Sequence, residues 1–178
     1  FAFLNTQIGA AFAGLTWLLL DWRVEGKPTA IGFCIGVVAG LATITPAAGY
    51  VAPSGAMLIG VAAGMICYLA VIFVNKMKWD DALDVWGVHG IGGVTGILGL
   101  GLLGTTTMNP DGANGLFFGG SHFFITQLVA VLFAVVWVFA VTTGLLWIID
   151  KITPVRVSDE TEQMGLDDAL HGEMAYRQ

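Results

Sequence analysis

Charge is what this sequence has least of. Charged residues make up 11% of its 178 positions, against roughly 25% in soluble domains. The 7 Lys and Arg are outnumbered by 13 Asp and Glu, for a net charge of -6. No basic stripe exists to neutralise phosphates, so nucleic acid is excluded as a partner. The two cysteines, Cys34 and Cys67, stand singly in apolar stretches. They provide neither a disulfide framework nor a CxxC metal pair, and both read as small core residues. No Ser-His-Asp spacing, Walker loop, strand-borne GxGxxG or HExxH occurs, so hydrolytic and nucleotide chemistry are unsupported. No cofactor or metal is called for, and nothing marks the chain as an enzyme.

Apolar residues are abundant, at 56% of the chain, and the mean hydropathy is +0.81. Glycine is also abundant: there are 25, mostly inside apolar runs, where small residues let helices approach closely in lipid. Five stretches are expected to cross roughly 30 Å of hydrocarbon at about 1.5 Å per helical residue. They are about Phe1–Leu20, Thr29–Thr45, Ala56–Val74, Val85–Leu103 and Phe123–Ile149. The fold class is therefore an all-α membrane protein, with a transmembrane region over 1–157 and a tail over 158–178.

Lys and Arg polarise that topology. Arg23 and Lys27 follow the first span, Lys76 and Lys78 the third, and Lys151, Arg156 and Arg177 the fifth. The loops at Tyr50–Ser54 and Gly104–His122 hold none. Since positive charge marks the cytoplasmic side, the C-terminus is expected inside and Phe1 outside, as in an integral protein of a cell membrane. Phe1 opens an apolar run without an initiator Met, a basic region or a cleavage motif, and the chain reads as the back part of something longer. Six of the 13 acids lie in the tail, at Asp159, Glu160, Glu162, Asp167, Asp168 and Glu173.

One ionisable group falls where lipid should discourage it. On a helix running through Asp81, His89 would lie about 12 Å further along and near the midplane. An ionisable side chain there faces a bundle interior, a cavity or a partner. Its bland reading is a hydrogen-bonded structural histidine. Its functional reading is a neutral imidazole, one donor and one acceptor, serving a small solute or a proton in transit. A membrane redox or metal enzyme would need further ligands, and none stands at His spacing. Asp84 reads as a helix cap, or as a carboxylate that holds the inner mouth negative along a cation path. Trp86 sits beside the histidine, whereas Trp17, Trp22, Trp79, Trp137 and Trp147 read as interface or lipid-facing residues.

The segment DDALDVWGVHGIGG at Asp80–Gly93 resembles the ammonium transporter family, the Amt, Mep and Rh proteins. AFLNT at Ala2–Thr6, TPAAGYV at Thr45–Val51, GLFFGG at Gly115–Gly120 and GLDDALHGEMAY at Gly165–Tyr176 agree. The tail motif points to the Amt branch. This resemblance implies an eleven-helix inverted-repeat fold, assembled as a homotrimer. The five spans would form its C-terminal part, with the N-terminal helices on another segment or chain. It implies ammonium or ammonia transport through a narrow apolar pore with a histidine pair, of which His89 is one. Val85 matches a pore-lining position, Asp84 the aspartate that organises the helix mouth, and Thr45 a residue of the outer recruitment site. Trp86 stands where Phe is more usual. Gly165, Asp167, His171, Gly172, Glu173 and Tyr176 match a regulatory motif that docks on the neighbouring subunit, and Ala169 replaces a phosphorylatable Thr of many plant members. A PII-type signalling protein would be a further cytoplasmic partner. The alternative within the same fold is an ammonium-sensing receptor.

Overall fold

The computed structural model describes residues 1–173. Among the described residues, helices account for all the regular structure except one isolated antiparallel bridge, Val51 to Gly104. The chain divides into two compact units, Phe1–Leu132 and Phe133–Gln178.

In the first unit, α1 runs over Ala2–Glu25 and ends where Gly26 turns left-handed at φ 81°. Glycine enters that conformation without a Cβ penalty. Helix α2, Ala30–Ile44, starts at Thr29, whose hydroxyl accepts the Gly32 amide at 2.9 Å. It is followed by a run of turns through Tyr50. Helix α3, Pro53–Met77, opens on a proline, whose fixed φ suits a first helical turn and whose missing N–H is no loss there. A π-helical segment, Trp86–Ile91, runs directly into α4, Gly92–Leu103. A 3₁₀ turn at Leu116–Phe118 precedes α5, Ser121–Ile152.

Among the described residues, four helices are long and apolar enough to cross a membrane: α1, α3, the continuous run Trp86–Leu103, and α5. At 15 residues α2 is shorter, because Pro46 and the turns around it forbid further helical extension.

Close approach of α1, α2 and α3 organises the unit. A Cβ on Gly40 would meet the Gly9 carbonyl at 2.5 Å, and one on Gly60 would meet the same oxygen at 2.7 Å. Three backbones therefore converge at Gly9, a packing that only small residues permit. Two apolar clusters sit around this node. One gathers Trp17, Ala39, Cys67, Tyr68, Val71 and Val88, the other Ile44, Ala47, Ala48, Val51, Ala56 and Ile59. Trp17 is 3% exposed and meets the Tyr68 ring edge-on at 5.2 Å, so it belongs to the core and not to an interface belt. Its place on α1 faces the other two helices, a relation invisible in its own segment.

Near the start of α1, Asn5 is fully buried, and its amide donates to the Ala48 and Val51 carbonyls at 2.8 and 2.7 Å. These bonds satisfy backbone acceptors in the turn after α2, where no helix can do so. The loop after α4 is tied down by Thr105 donating to the Tyr50 carbonyl and Gly115 to the Gly104 carbonyl.

In the second unit, Ser158 caps α6, Asp159–Met164, by accepting the Thr161 amide at 3.2 Å. Arg156 reaches Glu162 at 3.1 Å. A π turn, Asp167–His171, follows and closes at Gly172, whose φ is 66°.

Candidate functional site

The site is built on the entry to α4. After α3, which closes at Lys78 in a left-handed turn, the chain makes a second reversal at Asp84, with φ 54°. Aspartate tolerates that region better than most residues. The Asp84 carbonyl accepts the Val88 amide at 2.8 Å and so starts the helix. The acceptor that covers the open helix end is a different carboxylate. Asp81 takes the Val85 amide on Oδ1 and the Trp86 amide on Oδ2, each at 2.9 Å. The capping role expected of Asp84 thus falls to Asp81, because the turn between them brings Asp81 back over the helix axis. Burial, and then the nearby Asp81 carboxylate, raises the Asp84 carboxyl above its ordinary range.

The next six residues, Trp86–Ile91, form a π turn. Such a turn holds one residue more than an α turn and is frequent at functional positions. Its inner side is anchored. Val88 is 3% exposed within the first apolar cluster. Gly87 lies against α3, where a Cβ would meet Val71 Cγ2 at 2.8 Å. Farther along, Gly92 and Gly96 press on Thr43 of α2, and a Cβ on Gly96 would overlap the Thr43 carbonyl oxygen.

With Val88 turned inward, its neighbour His89 faces away from the core and is exposed. It lines an open groove of about 410 Å³ with Ala30, Ile31, Cys34, Val38 and Leu83. The walls are almost wholly apolar side chains, with the imidazole as the one basic group among them. Cys34 is exposed in this groove while Cys67 is buried, so only Cys67 fits the core reading. His89 also lies in the first turns of its helix. Asp81 to Asp84 are not helical, and the depth expected from a continuous helix through Asp81 is shortened to the few residues after Val85.

The other sequence-predicted residues are distributed unevenly. Val85 is half exposed at the helix start. Trp86 points into an aromatic cluster, 5.8 Å from Trp79 and 6.5 Å from Phe73, with Trp79 and Phe73 5.6 Å apart. Thr45 follows the far end of α2, and its hydroxyl donates to the Leu41 carbonyl at 2.7 Å. The structure does not bring it to His89. Gly165, Asp167, His171, Gly172 and Glu173 lie in the second unit, where Asp167, His171, Gly172 and Glu173 are exposed. Tyr176 lies outside the described residues. Among the described residues no three of His, Cys, Asp and Glu come together as metal ligands. Sequence reasoning missed Asp81 as a distinct member of the site. Its signal was the acid four residues before the helix start, obscured by two neighbouring acids that were equally eligible.

Comparison with known proteins gives consistent matches. The model of the Ammonium Transporter Family matches residues 1–176. The ammonium transporter of Bacillus subtilis is 42% identical over 178 residues, covering 99% of this chain and 44% of that protein. Ammonium transporter Amt1 of Archaeoglobus fulgidus is 43% identical over 171 residues, covering 96% and 43%. Among solved structures, Mep2 of Saccharomyces cerevisiae superposes with a TM-score of 0.84 at 34% identity, covering 90% of this chain and 37% of that one. A sensor Amt protein superposes with a TM-score of 0.84 at 28% identity, covering 95% and 41%. The chain spans less than half the length of these proteins.

Proposed function

Because the chain belongs to the ammonium transporter family, we propose that it contributes the His89 side of a membrane pore that passes ammonium as ammonia and a separately relayed proton. The observation that carries this reading is the setting of His89, an imidazole presented to a groove whose other walls are apolar. A bare cation in such surroundings faces a Born cost of order tens of kcal/mol. Neutral ammonia does not. A neutral imidazole holds one donor and one acceptor, enough to hydrogen-bond ammonia and to pass a proton to a partner group. That partner is a second histidine on helices beyond this chain, which complete an eleven-helix inverted repeat whose C-terminal part is formed here. Val85 lines the inner continuation, while Asp84 and Trp86 support the mouth. Thr45 belongs to the outer recruitment end, since it stands after α2 on the side remote from Lys27 and Lys78.

The distribution of Lys and Arg supports an orientation with Phe1 outside and the tail in the cytoplasm. The tail segment Gly165–Tyr176 then serves regulation between subunits of a homotrimer, and a PII-type protein would approach from the same side. The exposed acids and His171 of the second unit are consistent with such contacts.

The test is a current measurement on solid-supported membranes under an ammonium pulse. It uses the complete transporter, this chain joined to its N-terminal helices, with wild type beside His89→Ala at matched incorporation. Loss of the current, or a changed ratio of ammonium to methylammonium current, is the expected result. Unchanged currents would remove His89 from the pore.

The match to a sensor Amt protein favours one second reading, an ammonium-sensing receptor on the same fold. It is distinguished by saturable ammonium binding with no current in wild type.

A further inference from the structure

We propose that Asp81 is the positioning residue of the His89 site: its carboxylate, bound to the Val85 and Trp86 amides, holds the π turn that aims the imidazole into the groove. This rests on the pore reading of His89.

The geometry is specific. Both carboxylate oxygens are used, each accepting one amide at 2.9 Å. These two amides open the helix and have no carbonyl one turn back to receive them. Asp81 is itself fixed from behind, because its carbonyl accepts the Asp84 amide at 3.1 Å in the tight turn. The other end of the π turn is equally held. Gly92 and Gly96 are packed on Thr43, so α4 cannot rotate without parting from α2.

A π turn between two fixed ends stores one extra residue. Relaxing it to an α turn would move that residue out through the N-terminal end that Asp81 holds, and each α-helical residue takes up about 100° of rotation. Since α4 is wedged against α2, any slip must pass through Val85–His89, where Gly87 and Val88 pack on α3 and the first apolar cluster and the Asp81 carboxylate holds the open end at Val85 and Trp86. Once this segment turns by that angle, His89 leaves the groove and a neighbour takes its place. The Asp81 carboxylate opposes this slip by pinning the first two amides. Asp84 is not equivalent, for its side chain makes no hydrogen bond among those of the described residues, and its φ of 54° serves the turn.

A capping role differs from an electrostatic one in what it tolerates. Asn and Ser cap helices about as well as Asp, and Ala does not. A negative charge held near the inner mouth to attract cations would be lost equally in all three variants. The experiment therefore uses Asp81→Asn, Asp81→Ser, Asp81→Ala and His89→Ala in the complete transporter. Ammonium and methylammonium currents are measured per inserted protein, together with hydrogen exchange of the Val85 and Trp86 amides.

Asp81→Ala is expected to lower the ammonium current by about tenfold, to change the ammonium-to-methylammonium ratio, and to speed exchange of those two amides by about tenfold. Asp81→Asn and Asp81→Ser each keep one acceptor oxygen where the carboxylate has two, so both are expected to fall between wild type and Asp81→Ala in current and in amide exchange, whereas a purely electrostatic role would make all three variants equal. Loss of fold alone would lower the amount of inserted protein and leave the ratio unmoved. If Asp81→Ala does not insert, the Asn and Ser variants decide. Current partly retained without the charge supports the cap, and loss in both overturns it. An Asp81→Ala protein with wild-type current and ratio, beside an inactive His89→Ala, overturns the positioning role and leaves the pore reading standing. An active, unaltered His89→Ala protein overturns both.

Discussion

Substituting two glycines of α4 three residues apart separates packing from propensity. An ideal Cβ on Gly96 overlaps the Thr43 carbonyl oxygen, comes within 2.9 Å of its carbonyl carbon and within 3.1 Å of Pro46 Cγ. The obstruction is backbone, which has no rotamer to escape into. A Cβ on Gly93 meets nothing within 4 Å. Both Gly93→Ala and Gly96→Ala gain helix propensity, about 0.5–1 kcal/mol each. That term cancels in the comparison, and what remains is the strain of prying α4 from α2. Overpacking of this kind costs roughly 1–3 kcal/mol, and a rigid carbonyl places Gly96→Ala toward the upper value. With roughly 2–4 °C per kcal/mol for a chain of this size, the two variants should differ in unfolding midpoint by about 5–10 °C. Gly93→Ala should lie slightly above wild type and Gly96→Ala well below it. Thermal unfolding in detergent, followed by helical circular dichroism, measures this directly. Midpoints within a degree of each other would refute the close approach of α2 and α4, and with it the wedge that keeps the His89 segment from rotating.

Other outcomes follow from the same geometry. Asn5→Ala should lose about 2–4 kcal/mol, since it strands two buried carbonyls at Ala48 and Val51. Asn5→Asp should be worse, because a carboxylate has no donor for them; detergent unfolding checks both. Trp79→Ala removes ring contacts to Phe73 and Trp86 and should lower stability by about 1–3 kcal/mol, with a shift in the emission of Trp86. Asp84 should show a pH signature. Its folded carboxyl titrates above the unfolded one, so its contribution to stability is present below the ordinary carboxylate range and is lost as pH rises through the folded value. Asp84→Asn should therefore be more stable than wild type at neutral pH, with the gap closing on acidification. A gap that widened toward low pH would contradict the burial assigned to Asp84.

Some of this molecule was readable from single positions. Low charge, long apolar runs and internal glycines require helices in lipid, because only helices satisfy every backbone group within one segment. The sidedness of Lys and Arg and the anomaly of His89 within an apolar run are likewise properties of composition and spacing. The segment around Asp80–Gly93 was enough to suggest the family to which the chain belongs. The burial of Trp17 was not readable, nor the exposure of Cys34, because periodicity marks a face without saying what covers it. The choice of Asp81 over Asp84 as the cap was also hidden. Three acids precede the helix, and only the reversal at Asp84 decides which carboxylate swings back over the axis. The sequence by itself determined a helical membrane chain with one basic ring in an apolar run, since solvation and hydrogen-bond satisfaction act residue by residue. Tertiary structure alone decided where that ring points, since its direction depends on a π turn held between the Asp81 carboxylate and the Thr43 backbone, groups that meet only when the helices pack.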